Sequence, residues 1–386
     1  MFFGLRFSGL RIFIELTVTC CRGCRKARVT RLQLAAPCRV DWTKPFGGVQ
    51  SRWCTLMQCP SLAELPEPPR GKTGWPWTEE SARLPRANDG SFWPPITIVT
   101  PSFNQARFLE EAIRSILLQG YPNLEYFVFD GGSTDGSAEI LRKYSQWIGF
   151  WVSEPDHGQS AAINRGLQLG SGLFAAWVNS DDMLCKNALT DLLSSRTLAT
   201  DTIYVGDCIH IDTTGSVLFT HRGRVWSFQD LIRIPSVWRS GGSIDQPAVL
   251  FPRTTALEAG GLNPDNHYTM DYELWGNMLL SGIKIQYTAL PFGYFRVHRW
   301  QKTQQILKQT ESLLNTAEDL LARADCLPEN LRREWMAELN VYRAAYPKTI
   351  WSQSGRLARL GLPPCIVVPV RQLKNRINRR LRRDES

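Results

Sequence analysis

The sequence predicts an α/β fold, a mostly parallel sheet with flanking helices and a C-terminal helical extension. Three observations carry that expectation. Between residues 96 and 198, short apolar runs alternate with helical patterns of about ten residues, the signature of a parallel sheet covered on both faces. Polar motifs fall directly after the second and fourth of those runs, where open α/β sheets bind ligands. A composition of 43% hydrophobic and 21% charged residues over 386 positions supports a folded core and excludes a disordered or collagen-like chain.

In chain order, residues 1–59 show no useful helical or strand period and hold six of the ten cysteines. They are expected to be a disordered or non-native extension, of which residues 1–56 contribute nothing to the catalytic fold. Cys21-x-x-Cys24 offers one arm of a zinc spacing without a second arm. Residues 60–95 form a Pro-rich strap that cannot carry a regular element, with Trp75 and Trp77 available to dock on the body.

Ile96–Val99 is β-branched and reads as the first strand, stopped by Pro101. A helix follows over 106–119, where Phe108, Ala112, Ile116 and Leu117 share one face. Strands are expected at 124–129, 150–152 and 173–178, with helices at 137–147, 160–169 and 187–198. Further on the pattern loosens. Short strands are expected at 203–205, 209–211, 217–220, 248–251 and 284–289, and helices at 272–280, 304–323 and 330–345.

Charge is unevenly placed. Residues 1–59 carry ten Lys/Arg against two Asp/Glu, residues 371–386 seven against two, and the body between them 28 against 32. A mildly acidic body argues against a nucleic-acid enzyme with a basic groove. The basic tail is read either as a solvated terminus or as loose attraction to anionic lipid. No run approaches the apolar length of a membrane span, so a cytoplasmic protein is expected, with peripheral contact at the inner face of the membrane as the extension of that reading.

Two motifs carry chemistry. Asp130-Gly131-Gly132-Ser133-Thr134-Asp135-Gly136-Ser137 ends the second strand and opens a helix, placing the Asp130 carboxylate at the sheet edge; a plain capped turn is the competing reading. Asn179-Ser180-Asp181-Asp182 ends the fourth strand. Adjacent carboxylates repel unless donors or a hard cation such as Mg²⁺ or Mn²⁺ compensate them, and a turn with caps is the alternative. Asp271 opens a helix, as a general base or as a cap. His298 follows a strand. No G-x-S-x-G, P-loop or H-E-x-x-H motif is present.

The order of these motifs resembles the family 2 glycosyltransferases, which have the Rossmann-like GT-A fold. Ile98-Val99-Thr100-Pro101-Ser102-Phe103-Asn104 is similar to the family's opening strand and turn. Asp130 to Ser137, Ser153-Glu154-Pro155-Asp156, Ala162-Ile163-Asn164-Arg165-Gly166, Asn179 to Asp182, and Gly260-Gly261-Leu262-Asn263 with Asp271-Tyr272-Glu273-Leu274-Trp275 follow in the family's order, covering about half of the chain from Trp93 to Thr303. The domain is therefore expected over 96–303, with 304–386 as the helical extension.

The resemblance implies an inverting, metal-dependent transfer of a sugar from a nucleotide-sugar donor to a hydroxyl of a glycan or lipid-linked acceptor, in surface-glycan assembly. Pro101, Ser102, Asp130 and Asp181 would hold the donor. Asp182 would be the better ligand for Mg²⁺ or Mn²⁺, with His298 an added contact, and Asp271 the catalytic base. The sequence departs from the pattern at Asn179, in place of the first Asp of the D-x-D, and at Met270; the Q-x-x-R-W motif of processive synthases is absent, with Arg296 in place of Gln. A nucleotidyltransferase on a similar sheet and a catalytically silent nucleotide-sugar binder are the competing readings.

Overall fold

The computed structural model describes residues 2–7, 10–15, 59–85 and 93–358, with side chains over 59–85 and 93–346. Near the N-terminus, β1 (Phe2–Phe7) and β2 (Leu10–Glu15) pair as an antiparallel hairpin with Phe7 opposite Leu10. The sequence reading marks no strand there, because Arg6, Arg11 and Glu15 interrupt the apolar alternation. Cys59, the last residue of the expected extension, is instead buried in the body and donates its N–H to the Tyr121 carbonyl, while the rest of the extension, the Cys21-x-x-Cys24 pair and the basic tail from Arg371 lie outside the described residues.

The body follows the alternation read from the sequence. β3 (Ile96–Ser102), α1 (Ala106–Leu117), β4 (Leu124–Asp130), α2 (Ser137–Tyr144), β5 (Phe150–Ser153), α3 (Gln159–Leu169) and β6 (Phe174–Trp177) form the first half. The second half comprises β7 (Met183–Leu184), α4 (Ala188–Ser195), β8 (Thr202–Ile211), β9 (Val217–His221), α5 (Phe228–Ile232), β10 (Val249–Pro252), α6 (Arg253–Glu258), α7 (Met270–Leu280) and β11 (Lys284–Arg296). α8 (Ile306–Ala322) and α9 (Glu329–Ala358) close the described chain.

One nine-stranded sheet runs β5-β4-β3-β6-β10-β8-β11-β7, with β9 on β8. The β5-β4-β3-β6 half is parallel. β10 joins it antiparallel to β6 and β8, and β11 returns parallel to β8. The inner strands bury alternate residues on opposite faces. In β4, Leu124, Tyr126 and Val128 meet α1, α2 and α4, whereas Phe127 and Phe129 meet the layer built by α3 and α5–α9. The C-terminal helices share that second core through Leu313, Leu314, Ala317, Leu320 and Leu321 of α8 and Trp335 and Leu339 of α9.

Three elements differ from their expected bounds. The two short strands expected at 203–211 are one strand, β8, because paired neighbours on both sides carry it through the polar Asp207. β11 continues to Arg296 past irregular pairing around Pro291, which delivers His298 to the site. The two-residue β7 leaves no sequence period to read; it pairs Met183 with Tyr294 and Leu184 with Gly293.

The strap docks on the α1 side. The fully buried Arg114 guanidinium donates to the carbonyls of Pro66 (2.8 Å), Pro76 (3.0 Å) and Trp77 (3.0 Å), and to Tyr144 Oη (3.1 Å). Trp77 is buried, and Trp75 Nε1 donates to the carbonyl of Leu184. Carbonyls of a Pro-rich segment have no ladder to join, and this guanidinium supplies their missing donors.

Candidate active site

The carboxyl ends of β3, β4 and β5 lie side by side, with Ser102 in register with Asp130 and Asp130 with Ser153. Pro101 and Ser102 are buried strand residues, and Ser102 Oγ is buried without a hydrogen-bond partner. Asp130 is 1% exposed, so it is not the open edge carboxylate expected from the sequence. Its oxygens accept from Ser133 N (2.9 Å), Ser133 Oγ (2.5 Å) and Ser153 Oγ (2.6 Å), because the turn that follows β4 folds back over the strand end.

The second acidic motif divides into two unlike carboxylates. β7 pairs with β11 immediately after the motif, which brings Asp181 and Asp182 against the residues that leave β11. Asp181 Oδ2 lies 2.9 Å from His298 Nε2, with the Asp181 side chain 19% exposed. Asp182 is 2% exposed; it accepts from the Arg296 backbone N–H at 2.9 Å and the Asn179 amide at 3.1 Å. Burial, reinforced by the Asp181 charge, holds the Asp182 carboxyl well above its ordinary range. The sequence reading gave Asp182 the metal. Both Asp182 oxygens face protein donors, whereas the Asp181 carboxylate faces His298.

His298 is held between Phe108 and Trp300, with ring centroids at 5.3 and 5.9 Å. Lys302 Nζ donates to Gln159 Oε1 at 2.8 Å. Burial pulls the Lys302 ammonium below its ordinary value, with the Asp181 charge opposing that shift. Gln159 continues to Asn179, and Asn179 to Gln246, whose amide donates to the Trp177 carbonyl. Sequence reasoning missed Lys302 and Gln246. A lone Lys after a strand and a lone Gln before Pro carry no pattern, and both matter only through chain segments far away in sequence.

Asp271 lies in the first turn of α7 and lines a cavity together with Asp245, Tyr268, Thr269, Val297, Gln301 and Thr303. The Val297–Thr303 segment thus walls this cavity and also carries His298. One turn after Asp271, Trp275 stacks on Trp177 at 5.6 Å and 18°, and Phe251 meets both rings edge-on. That aromatic cluster fixes α7 against the strand leading into the acidic motif, so the two halves of the site share one rigid support. Asp271 Oδ1 accepts the Tyr272 N–H at 2.8 Å. Desolvation pushes its carboxyl up to about 6, with a smaller contribution from Asp245. A second bidentate clamp positions the loop before α7. Asn164 of α3 donates to the Leu262 carbonyl and accepts its N–H, at 2.7 and 2.9 Å. Gly261 makes this possible at φ +68°, where a Cβ would lie 2.7 Å from Asn164 Oδ1.

Among the described residues no helix is long and apolar enough to cross a membrane. The sequence profile described as Glycosyl transferase family 2 matches residues 97–246. An uncharacterized glycosyltransferase of Rickettsia typhi, RT0329, is 27% identical over 229 residues, covering 57% of this chain and 70% of that protein. The putative teichuronic acid biosynthesis glycosyltransferase TuaG of Bacillus subtilis is 33% identical over 101 residues, covering 25% of this chain and 40% of its own length. A crystal structure of S. aureus TarS 1-349 in complex with UDP-GlcNAc aligns with a TM-score of 0.48 at 16% identity, over 64% of this chain and 71% of that one. The matched segment contains the opening strand and both acidic motifs, set on the parallel half-sheet of a GT-A α/β fold: residues 97–246 carry a glycosyl transferase family 2 domain, and the protein is a glycosyltransferase.

Proposed function

We propose that the protein moves a sugar from a nucleotide-sugar donor to an acceptor hydroxyl by a single inverting displacement that depends on a divalent cation. The observation that carries this is the split arrangement of the site. Asp181 and His298 converge on one side, Asp271 lines the cavity on the other, and the Trp177–Trp275 stack ties the two together.

The donor set at Asp181 and His298, a carboxylate oxygen and an imidazole nitrogen, suits Mn²⁺ or Mg²⁺ completed by diphosphate oxygens and water. A bound cation would supply Lewis-acid stabilisation of the departing nucleoside diphosphate. We therefore exchange the roles first read from the sequence: Asp181 with His298 holds the metal, and Asp182 holds the loop. Lys302, already beside Asp181, is positioned to meet diphosphate charge. Ser102, with its unpartnered hydroxyl, and Pro101 form the floor under the nucleoside. Asp130 orders the turn around it, and offers an oxygen to the base only if Ser133 or Ser153 yields.

Asp271 takes the proton from the acceptor hydroxyl. A carboxylate poised near 6 is ionised at neutral pH yet more basic than an ordinary Asp, which favours general-base work. Attack from the acceptor side and departure on the metal side lie on opposite faces of the sugar, so the anomeric configuration inverts. A glycan or lipid-linked acceptor of the cell surface, met from the cytoplasm, completes the proposal. The teichuronic acid role in the Bacillus subtilis relative's name supports that acceptor class, and the free thiols of Cys59 and Cys185 agree with a reducing compartment.

The test is nucleoside diphosphate release from a panel of nucleotide sugars with and without Mn²⁺, followed by NMR of the product's anomeric centre. Metal-stimulated release lost in Asp181→Asn, with inverted product, supports the proposal. Retained configuration, or full activity of Asp181→Asn and His298→Ala in excess chelator, overturns it.

A further inference from the structure

The geometry points to a second metal site, a zinc site of Cys208, His210, His221 and Asp245 in the wall of the acceptor cavity. It is separate from the pair Asp181 and His298 and does not depend on the reading of that pair.

The placement follows from strand geometry. Cys208 and His210 are two residues apart on β8 and therefore share one face. His221 on β9 is the register partner of Cys208, which puts its side chain on that same face. Asp245 comes from the segment entering β10. The ligand atoms of Cys208, His210 and Asp245 all lie within 4.8 Å of one another. His210 Nε2 and His221 Nδ1 both approach Asp245 Oδ2, at 2.7 and 2.8 Å.

Cys208, His210 and Asp245 thus form one close cluster, and His221 reaches it through Asp245 Oδ2, in the Cys/His/carboxylate chemistry that zinc takes in tetrahedral geometry. The His221 imidazole is held as a metal ligand requires. The other nitrogen of His221, Nε2, faces the Gly241 carbonyl at 3.2 Å, the usual outer partner that fixes a ligating ring. The His210 ring stacks on Phe219 at 4.2 Å and 16°, with Phe295 at 5.0 Å. Tetrahedral ligands at zinc distances stand about 3.3 Å apart, so the two His–Asp245 contacts, at 2.7 and 2.8 Å, would each lengthen by about half an ångström as the imidazoles draw in around the ion.

Charge balance favours the same assignment. Zn²⁺ with one thiolate, one carboxylate and two neutral imidazoles is neutral overall, which suits a cluster whose cysteine is 1% exposed. Binding releases the thiol proton and any proton on the imidazoles to solvent, so affinity rises with pH. All four positions are protein side chains, which marks a structural rather than a catalytic zinc. It would pin β9 and the Asp245 segment to β8, and so fix the wall of the cavity that Asp271 faces.

The test uses the full chain, prepared with zinc and passed through gel filtration, with zinc per chain measured by mass spectrometry and the ligand atoms by zinc-edge X-ray absorption. The expected result is one zinc per chain with one sulfur and three nitrogen or oxygen neighbours. It should be lost in Cys208→Ala and His221→Gln and kept in Asp181→Asn. Both variants should melt like the wild type in chelator, and chelator should lower the melting temperature of the wild type alone. Should Cys208→Ala fail to fold, the wild-type absorption spectrum still decides. Two or more sulfur neighbours, zinc unchanged in His221→Gln, or no zinc taken up on titration of the wild type would each overturn the assignment.

Discussion

Asp271→Asn should make the enzyme slower and the fold more stable. Asn keeps the shape and the acceptor for the Tyr272 N–H, but it takes no proton. Transfer should fall about 10²-fold or more, within the range for general-base catalysis. Donor binding, measured by titration calorimetry, should hold. The stability effect comes from the Asp271 carboxyl, raised from 3.8 to about 6 by desolvation. A raised acid binds its proton more readily in the folded chain than in the unfolded one. Its contribution to stability is therefore full below about pH 4, declines as pH rises through about 6, and is lost above. A displacement of that size corresponds to on the order of 3 kcal/mol at pH 8. Water reaching the half-buried carboxyl through the cavity reduces this, so we expect Asn to gain about 1–3 kcal/mol at pH 8 and little at pH 4. Urea denaturation at the two pH values reads the difference. The wild-type kcat/KM should also climb about tenfold per pH unit below about 6 and level off above. Wild-type turnover in the Asn variant, or an equal stability change at both pH values, would refute the reasoning.

The two acidic-motif residues should respond differently. Asp181→Asn should weaken Mn²⁺ binding, seen by electron paramagnetic resonance, and leave the melting temperature nearly unchanged, whereas Asp182→Asn should leave Mn²⁺ binding in place and shift the melting temperature, the lost partner of Arg296 or Asn179 opposing the relief of a buried carboxylate. Arg114→Met leaves three strap carbonyls and Tyr144 without their donor, and should lower stability by about 3 kcal/mol and expose the Trp77 region to limited proteolysis. Gly166→Ala puts a Cβ 2.5 Å from Val99 Cγ2, where α3 crosses β3, and should cost about 1–3 kcal/mol in chemical denaturation because the strand side chain has little room to move.

The first half of the sheet was legible because each strand there is a short apolar run and each crossover a helix, so period and length agree. Ile96, Val128 and Phe174 could hardly be elsewhere than inside. Legibility failed where pairing rather than composition makes a strand. β7 is two residues long and exists because β11 passes beside it. β8 carries Gly206 and Asp207 through its middle, and Gly206 is needed there since a Cβ would meet Phe292 Cβ at 2.4 Å.

The same cause explains the site. Adjacent Asp181 and Asp182 differ by nothing that spacing records; both follow one strand and both are acids. Only the return of β11, a hundred residues later, separates them. It offers the backbone N–H of Arg296 to Asp182 and the ring of His298 to Asp181. The Arg296 side chain strengthens the division. It is 1% exposed, pairs with Glu111 of α1 at 2.6 Å and donates to the Asp181 carbonyl at 3.0 Å, so one arginine holds the acidic loop from both ends. An arginine in that place has a structural task, which accounts for its presence where the processive synthases require Gln. In the function we propose, the carboxylate satisfied by the Arg296 backbone and Asn179 serves the fold, and the one left beside an imidazole serves the chemistry.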